Sequence, residues 1–444
     1  MNNLLRSKKL LAALAITASV AVILPLAVSA AGTVFAGTNQ NPGVVGRLEF
    51  QGSTTVGPII QAAAADYNSY VGKTVITNDS TNIDQDSSGP GRESALLHYT
   101  DIGMASSKAS TTLGSGVYDT SDSTFGETAT GLTEAQLLTQ TDIARDGVVL
   151  IVNKSVPSDI TQLTEAQIVD IYDGYITNWD QISGNSADNM KIVPRARIIG
   201  SGTRQSLSDQ TKGMGSSSYT NTTITFMSPD SDSSPTPGTE NYTIIQTGLA
   251  RESSNQQMED DINLSTSTGQ IGYVGLGFDT DSNVRDMNVV DSNNVAWSPT
   301  GQNIYAANPA RPGYACYPLA RFLYLYTPAF NTVTSTSTTL ATATPFTPAN
   351  ESDISSFLSW ITQLNGKGQA DVVSAGFLTL VPGEDVNNDG TVNVLDLIQV
   401  GNCIGEGGAQ ITNIRADVNG DGTVNVLDLI QVGNWIGTNI LPLS

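Results

Sequence analysis

The sequence predicts an α/β domain followed by a small all-α module, on three observations. Between about residues 47 and 380, β-branched and aliphatic runs alternate with helix-period patterns, as in mixed α/β domains. Residues 385–405 and 417–437 align without gaps at a spacing of 32 and differ only at Asn388/Gly420 and Cys403/Trp435. The C-terminus is therefore a duplicated unit. Ahead of both, Arg6, Lys8 and Lys9 precede an apolar run from Leu10 to Val28. With 444 residues the chain is long enough to bury a sizeable core.

Charge and composition remove several function classes. Charged residues make up 14% of the chain, against about 25% in an average soluble domain. Acidic residues outnumber basic ones 42 to 20, for a net charge of −22. A nucleic-acid partner or electrostatic docking on an anionic membrane is excluded on that balance. His98 is the single histidine, so a Ser-His-Asp triad or a zinc site has almost no raw material. It reads as a half-buried structural residue. Cys316 and Cys403 lie far apart in different contexts and indicate no disulfide framework.

The elements follow in chain order. Residues 1–30 read as a signal peptide, with Val28-Ser29-Ala30 meeting the small-residue rule for cleavage after Ala30. A retained membrane anchor is the alternative, and both imply export. Residues 31–46 read as a flexible leader. Strands are expected over Gly147–Val152, Lys191–Ile199, Gln270–Leu276 and Phe322–Tyr326. Thr133-Glu134-Ala135-Gln136 and Thr164-Glu165-Ala166-Gln167 are capping boxes that open helices. Glu165 and Asp170 then fall on a solvated helix surface. Ser355–Leu364 reads as a helix with Phe357, Leu358, Trp360, Ile361 and Leu364 on one apolar face. Trp179 and Trp360 read as core anchors. The stretches 108–131, 212–240 and 331–350 are Ser/Thr-rich and read as loops or insertions.

Three segments share a design suited to an anion. Gly52-Ser53-Thr54-Thr55-Val56-Gly57 leads from a strand into an Ala-rich helix ending near Tyr70. Ser87-Ser88-Gly89-Pro90-Gly91-Arg92 opens a second helix, through Ala95, Leu96 and Leu97. Arg197, followed by Gly200-Ser201-Gly202-Thr203, leads into a third. Each places glycine and hydroxyl residues at a helix N-terminus, where free backbone N–H groups and the positive dipole end favour negative charge. Arg197 adds a planar fork of donors suited to a tetrahedral oxyanion.

These segments, in this order, resemble the periplasmic phosphate-binding proteins that feed ABC transporters. The resemblance covers most of 47–380. It also rests on Asp101-Ile102-Gly103-Met104-Ala105-Ser106, Asp146-Gly147-Val148-Val149-Leu150-Ile151-Val152-Asn153, Gly269-Gln270-Ile271-Gly272-Tyr273 and Tyr317-Pro318-Leu319-Ala320-Arg321. It implies a two-lobed, type II binding-protein fold that closes over the ion, with a second lobe over about 147–290. It implies donors from Ser53, Thr54, Thr55, Ser87, Ser88, Gly89, Ser106, Arg197, Ser201, Gly202 and Thr203. Several relatives carry aspartate where Ser106 stands. The implied ligand is phosphate or a related oxyanion, delivered to an ABC permease, and no catalysis is implied.

The repeat matches the calcium-loop template. Asp385, Asn387, Asp389, Asn393 and Asp396 put side-chain oxygens at loop positions 1, 3, 5, 9 and 12, with Gly390 at 6 and the Thr391 carbonyl at 7. Asp417, Asn419, Asp421, Thr423, Asn425 and Asp428 repeat the set, so two Ca²⁺ ions are expected. This duplicated loop–helix unit, over about 385–437, resembles a type I dockerin. The resemblance implies a cohesin-bearing surface or scaffold protein as partner, met by Val394, Leu395, Val426 and Leu427. Together these imply a secreted, cell-surface-tethered receptor. A surface adhesion protein reusing the fold, or a cohesin-docked extracellular enzyme, are the alternatives.

Overall fold

The computed structural model describes residues 44–80, 82–96, 99–111, 133–198, 200–212, 214, 254–264, 268–278, 282–306, 317–329, 350–363, 366–380, 384–387, 391–407, 410–418 and 423–439. The signal segment, His98 and Cys316 lie outside these residues, as do nearly all of the three Ser/Thr-rich stretches.

The described strands are β1 (Phe50–Gly52), β2 (Ile83–Asp84), β3 (Ile102–Ala105), β4 (Leu138–Asn153), β5 (Gln162–Thr164), β6 (Val193–Pro194), β7 (Gln270–Gly275), β8 (Val284–Val290), β9 (Ala296–Trp297) and β10 (Ala320–Pro328). Around them run helices α1 (Gly57–Val71), α2 (Ser88–Leu96), α3 (Glu134–Leu137), α4 (Glu165–Tyr172), α5 (Asp180–Ser183), α6 (Gly202–Gln210), α7 (Asn255–Asn263), α8 (Gly301–Ala306), α9 (Glu351–Ile361) and α10 (Lys367–Ser374). The sheet runs β2-β1-β3-β10-β4-β7-β6, with β8 pairing both the far end of β4 and β5 and β9. β1, β2 and β3 are parallel, while β10 and β4 run antiparallel to each other at the centre.

β4 is sixteen residues long because it serves two cores in succession. Its Ile143 and Ala144 join a first core with Leu48, Phe50, Ile59, Leu323 and Phe357. Further on, Val148, Leu150 and Val152 enter a second core with Ile168, Trp179, Tyr273 and Met287. Val149 and Ile151, on the opposite face, pack against Met258 and Ile262 of α7. A strand buried on both faces reads as a continuous apolar run. β10 returns the chain beside β4, from Leu319 and Ala320 in the second core to Leu323 and Leu325 in the first.

Tyr67 of α1 and Phe357 of α9 meet edge to face at 4.9 Å, and Phe50 meets Phe357 at 5.1 Å. Trp360 packs on Tyr67, and Trp179 is fully buried in the second core with its indole N–H donating to the Gly269 carbonyl. Both tryptophans are core anchors. The α9 helix begins four residues before the expected Ser355, with Glu351 and Asp353 in its first turn, where acids complement the helix dipole. Leu364 lies outside the described residues.

Three expectations need correction. The strand expected over Lys191–Ile199 is only Val193–Pro194, held on β7 by the Val193 and Arg195 N–H groups, which donate to the Gly269 and Ile271 carbonyls. Beyond it the Arg197 N–H donates to the Tyr273 hydroxyl at 3.0 Å instead of to a neighbouring strand. Both capping boxes form, but the Thr133 box caps only a single turn before the chain enters β4, whereas the Thr164 box caps α4. Glu165 and Asp170 are buried, not solvated. Burial, reinforced by the nearby Asp291, pushes the Glu165 carboxyl up to about 7.

In the C-terminal module, α11 (Val394–Cys403) and α12 (Val426–Trp435) close over Val386, Val392, Val400, Cys403, Ala416, Val424 and Val432. The unit is not purely helical. β11 (Thr391–Val392) pairs antiparallel with β12 (Thr438–Asn439) and joins the first loop to the chain after α12.

Candidate functional site

The three anion-cradle segments come together. A small, tightly closed cavity is lined by Ser53, Thr54, Thr55, Ser87, Ser88, Ser106, Arg197, Ser201, Gly202 and Thr203. Ser53–Thr55 form the turn between β1 and α1, Ser87 and Ser88 open α2, and Ser106 follows β3. These belong to elements built around the first core. Arg197 and Ser201–Thr203 enter from the side of the second core. Ser201 is the N-cap of α6, its hydroxyl accepting the Arg204 N–H, and Gly200 takes φ +87° to turn the chain into that cap. Gly202 and Thr203 occupy the first two helical positions, whose N–H groups have no partner within the helix.

Gly89, expected to donate its amide to the ion, does not line the cavity. Its N–H donates to the Gly200 carbonyl at 3.0 Å, because the α6 turn packs directly on the start of α2. The same approach brings Gly202 against Ser88 and Ser106. A Cβ on Gly202 would lie 2.2 Å from the Ser88 Oγ and 2.5 Å from the Ser106 Oγ. The backbone at Gly202 is ordinary for a helix, so alanine is compatible with α6 and not with this approach. Gly202→Ala is therefore expected to weaken anion binding by tenfold or more and to lower the melting temperature modestly, as overpacking costs roughly 1–3 kcal/mol, while the variant still folds, as read by titration calorimetry and thermal denaturation.

Arg197 is 2% exposed. Its guanidinium donates to Thr54 Oγ1 at 3.1 Å and to Asn255 Oδ1. Asn255, wholly buried at the first position of α7, passes the link on by donating from Nδ2 to Thr55 Oγ1 at 2.8 Å. A second buried guanidinium, Arg321 of β10, donates to Thr203 Oγ1 at 3.2 Å and to the Ser106 carbonyl at 3.2 Å. Arg321 is ion-paired with Asp146 of β4 at 2.6 Å, and Asp146 also accepts the Leu276 N–H. The charge is thus compensated where β4 meets β10, and both Nη atoms are spent on groups that support the cavity wall, the Ser106 carbonyl and the Thr203 hydroxyl. Ser206 of α6 adds a hydroxyl bond to the Ser106 carbonyl. Asn255, Arg321 and Asp146 had not been expected as site residues. Asp146 and Arg321 stood inside quoted motifs, but only tertiary contact gives them a role.

Behind the cavity lies a further buried ion pair. Arg92 of α2 and Glu134 of α3 meet at 2.6 Å, and Arg92 also donates to Ser107 and to Gln205 of α6. The Ser87 hydroxyl is buried and makes no hydrogen bond within the described residues. A buried hydroxyl without a partner carries a desolvation cost of about 1–3 kcal/mol, which a ligand on the cavity side removes.

In the C-terminal module Asp385, Asp396, Asp417 and Asp428 are all buried. Asp396 accepts the Asn387 and Asn393 N–H groups, and Asp428 accepts that of Asn425, which folds each loop back on its position-12 carboxylate. The Arg415 guanidinium donates to the Asp385 carbonyl. Four carboxylates buried in so small a unit fit a bound cation. Thr391, Asn393, Thr423 and Asn425 lie at the loop ends, whereas Asp389, Asn419 and Asp421 lie outside the described residues. Val394 and Leu395 on α11, and Val426 and Leu427 on α12, are all exposed, and Ile398 and Ile430 extend each patch by one turn.

Comparison with known proteins follows the same division. Residues 37–362 match the family model of a PBP superfamily domain, and residues 383–436 that of a type I dockerin domain. Among solved structures, the chain is similar to a high affinity periplasmic phosphate-binding protein (PfluDING) bound with phosphate, at 17% identity and a TM-score of 0.50. That likeness covers 89% of this chain and 100% of the other. An ABC-type phosphate transport receptor from Vibrio cholerae gives 21% identity over 75% of this chain and 100% of its own, with a TM-score of 0.47. A phosphate-binding protein from Stenotrophomonas maltophilia gives 16% identity over 76% and 91%, again at 0.47.

Proposed function

The chain belongs to the PBP superfamily, and from that premise we propose that it is an extracellular solute-binding protein for phosphate or a related tetrahedral oxyanion. It hands the ion to an ABC permease and is tethered through a calcium-dependent dockerin–cohesin contact. One observation carries the first half of this reading. Three helix starts converge on a small cavity walled by hydroxyls and the Arg197 guanidinium, with the buried Ser87 hydroxyl making no hydrogen bond among the described residues. Backbone and hydroxyl donors around a guanidinium suit an ion with four acceptor oxygens.

The second half rests on the duplicated loops and the two exposed apolar patches. Asp385, Asn387, Asp389, Thr391, Asn393 and Asp396 would hold one Ca²⁺, and Asp417, Asn419, Asp421, Thr423, Asn425 and Asp428 the other. The ions neutralise buried carboxylates and fix the loops that launch α11 and α12. Val394, Leu395, Val426 and Leu427 would then face the cohesin, and their apolar character calls for an apolar partner face.

The test separates capture from attachment. Truncation after Pro382 is expected to release a soluble receptor with unchanged phosphate affinity, and chelating calcium to release the intact protein from the cell envelope. If the truncated protein stays on the envelope, or if chelation releases nothing, the tether is elsewhere. Ion chromatography of protein purified without added phosphate identifies the anion it retains.

A further inference from the structure

The hydrogen positions in the cavity follow from its partners. A hydroxyl has one hydrogen to give and two lone pairs to receive. Arg197 only donates, so the Asn255 oxygen must face it and the Asn255 amide nitrogen must face Thr55. Thr55 Oγ1 therefore receives a hydrogen. Thr54 Oγ1 receives one from Arg197, and Thr203 Oγ1 one from Arg321. Ser88 Oγ receives the Ser106 N–H at 2.9 Å, and Ser53 Oγ receives the Thr55 N–H at 3.1 Å. Ser201 Oγ receives the Arg204 N–H.

Six of the cavity's hydroxyl oxygens thus already accept an N–H that can do nothing but donate. Each keeps its own hydrogen and one lone pair, and the Ser88–Ser106 and Thr55–Thr203 hydroxyl pairs, at 3.2 and 3.4 Å, each share one hydrogen. Among the described residues no carboxylate lines the cavity, and Asp146 is engaged by Arg321, the Leu276 N–H and the Gly147 N–H. The wall is built of donors and holds no obligate acceptor. An oxyanion carrying no hydrogen satisfies every donor, whereas a hydrogen on the ligand meets only hydroxyl lone pairs.

We propose that the cavity selects dianionic tetrahedral oxyanions as a class, sulfate included, and does not use the ligand's proton to distinguish phosphate from sulfate. This rests on the anion-binding reading above and names its substrate class. It also makes Asn255 a positioning residue, because it sets which way the Thr55 hydrogen points.

The test is calorimetric titration of the full chain with inorganic phosphate and with sulfate at pH 8.0 and pH 5.5. At pH 8.0 the sulfate Kd is expected within thirtyfold of the phosphate Kd. Lowering the pH converts phosphate to its monoanion, so its affinity should fall tenfold or more while that of sulfate changes less than threefold. A sulfate Kd more than thirtyfold weaker at pH 8.0, or phosphate binding that is indifferent to pH, overturns the proposal and leaves phosphate capture standing. Binding of neither ion up to millimolar concentration overturns the anion-binding reading itself. Ser106→Asp supplies the missing acceptor beside Ser88 and should weaken sulfate at least a hundredfold more than phosphate. Equal losses for the two ions would count against the proposal.

Discussion

Replacing Arg197 with alanine is expected to lower phosphate affinity about a hundredfold or more while the protein remains folded. The guanidinium is buried on the cavity wall, where water competes little for it. Hydrogen bonds to charged groups contribute roughly 1.5–3 kcal/mol each, and a guanidinium offers two donors in one plane. Two such bonds correspond to about 3 kcal/mol at the low end, which is roughly two decades in Kd. The substitution also leaves Asn255 Oδ1 and Thr54 Oγ1 without their donor, so neighbouring donors lose alignment. Calorimetry on a variant whose circular dichroism matches the parent is the check, and unchanged affinity would remove Arg197 from the site.

Removing calcium should unfold the C-terminal module and leave the rest intact. Asp385, Asp396, Asp417 and Asp428 are buried together in a unit whose core is seven small or medium side chains. Without cations their mutual repulsion opposes a core too small to overcome it, and the metal's binding free energy becomes the module's folding free energy. In chelator, limited proteolysis of the full chain should cut within 391–439, where calcium protects it, and phosphate affinity should not change. Protection that ignores chelator would refute a calcium-dependent fold.

What could be read in the sequence was local. The cradles announce themselves because glycine and hydroxyl residues precede helix-period stretches, and a helix start needs no distant partner to be recognised. The duplicated loops of the dockerin are legible because each carries its whole oxygen pattern in twelve consecutive residues. Asn255 could not be found this way. Ser254 marks a helix start, but nothing near it tells that the next side chain reaches Thr55, 200 residues away. The Arg321–Asp146 pair spans 175 residues and exists only because β4 and β10 lie side by side. Glu165 misled for a related reason. Its capping box was read correctly, but burial of that helix start beside Asp291 depends on strands paired far downstream.

The passage of β4 and β10 between the two cores also dictates an order of assembly during synthesis. Apart from Leu378, the second core is made of residues 148–320, one unbroken stretch. It can close as soon as that stretch is available. The first core draws on residues 48–104 from the start of the domain and on 323–377 from its end, so its early half must wait with apolar faces uncovered. A chain emerging from its N-terminus therefore has every residue of the second core but Leu378 before it has the closing half of the first. For that interval the apolar faces of Phe50, Ile59 and Tyr67 lack the partners supplied by residues 323–377.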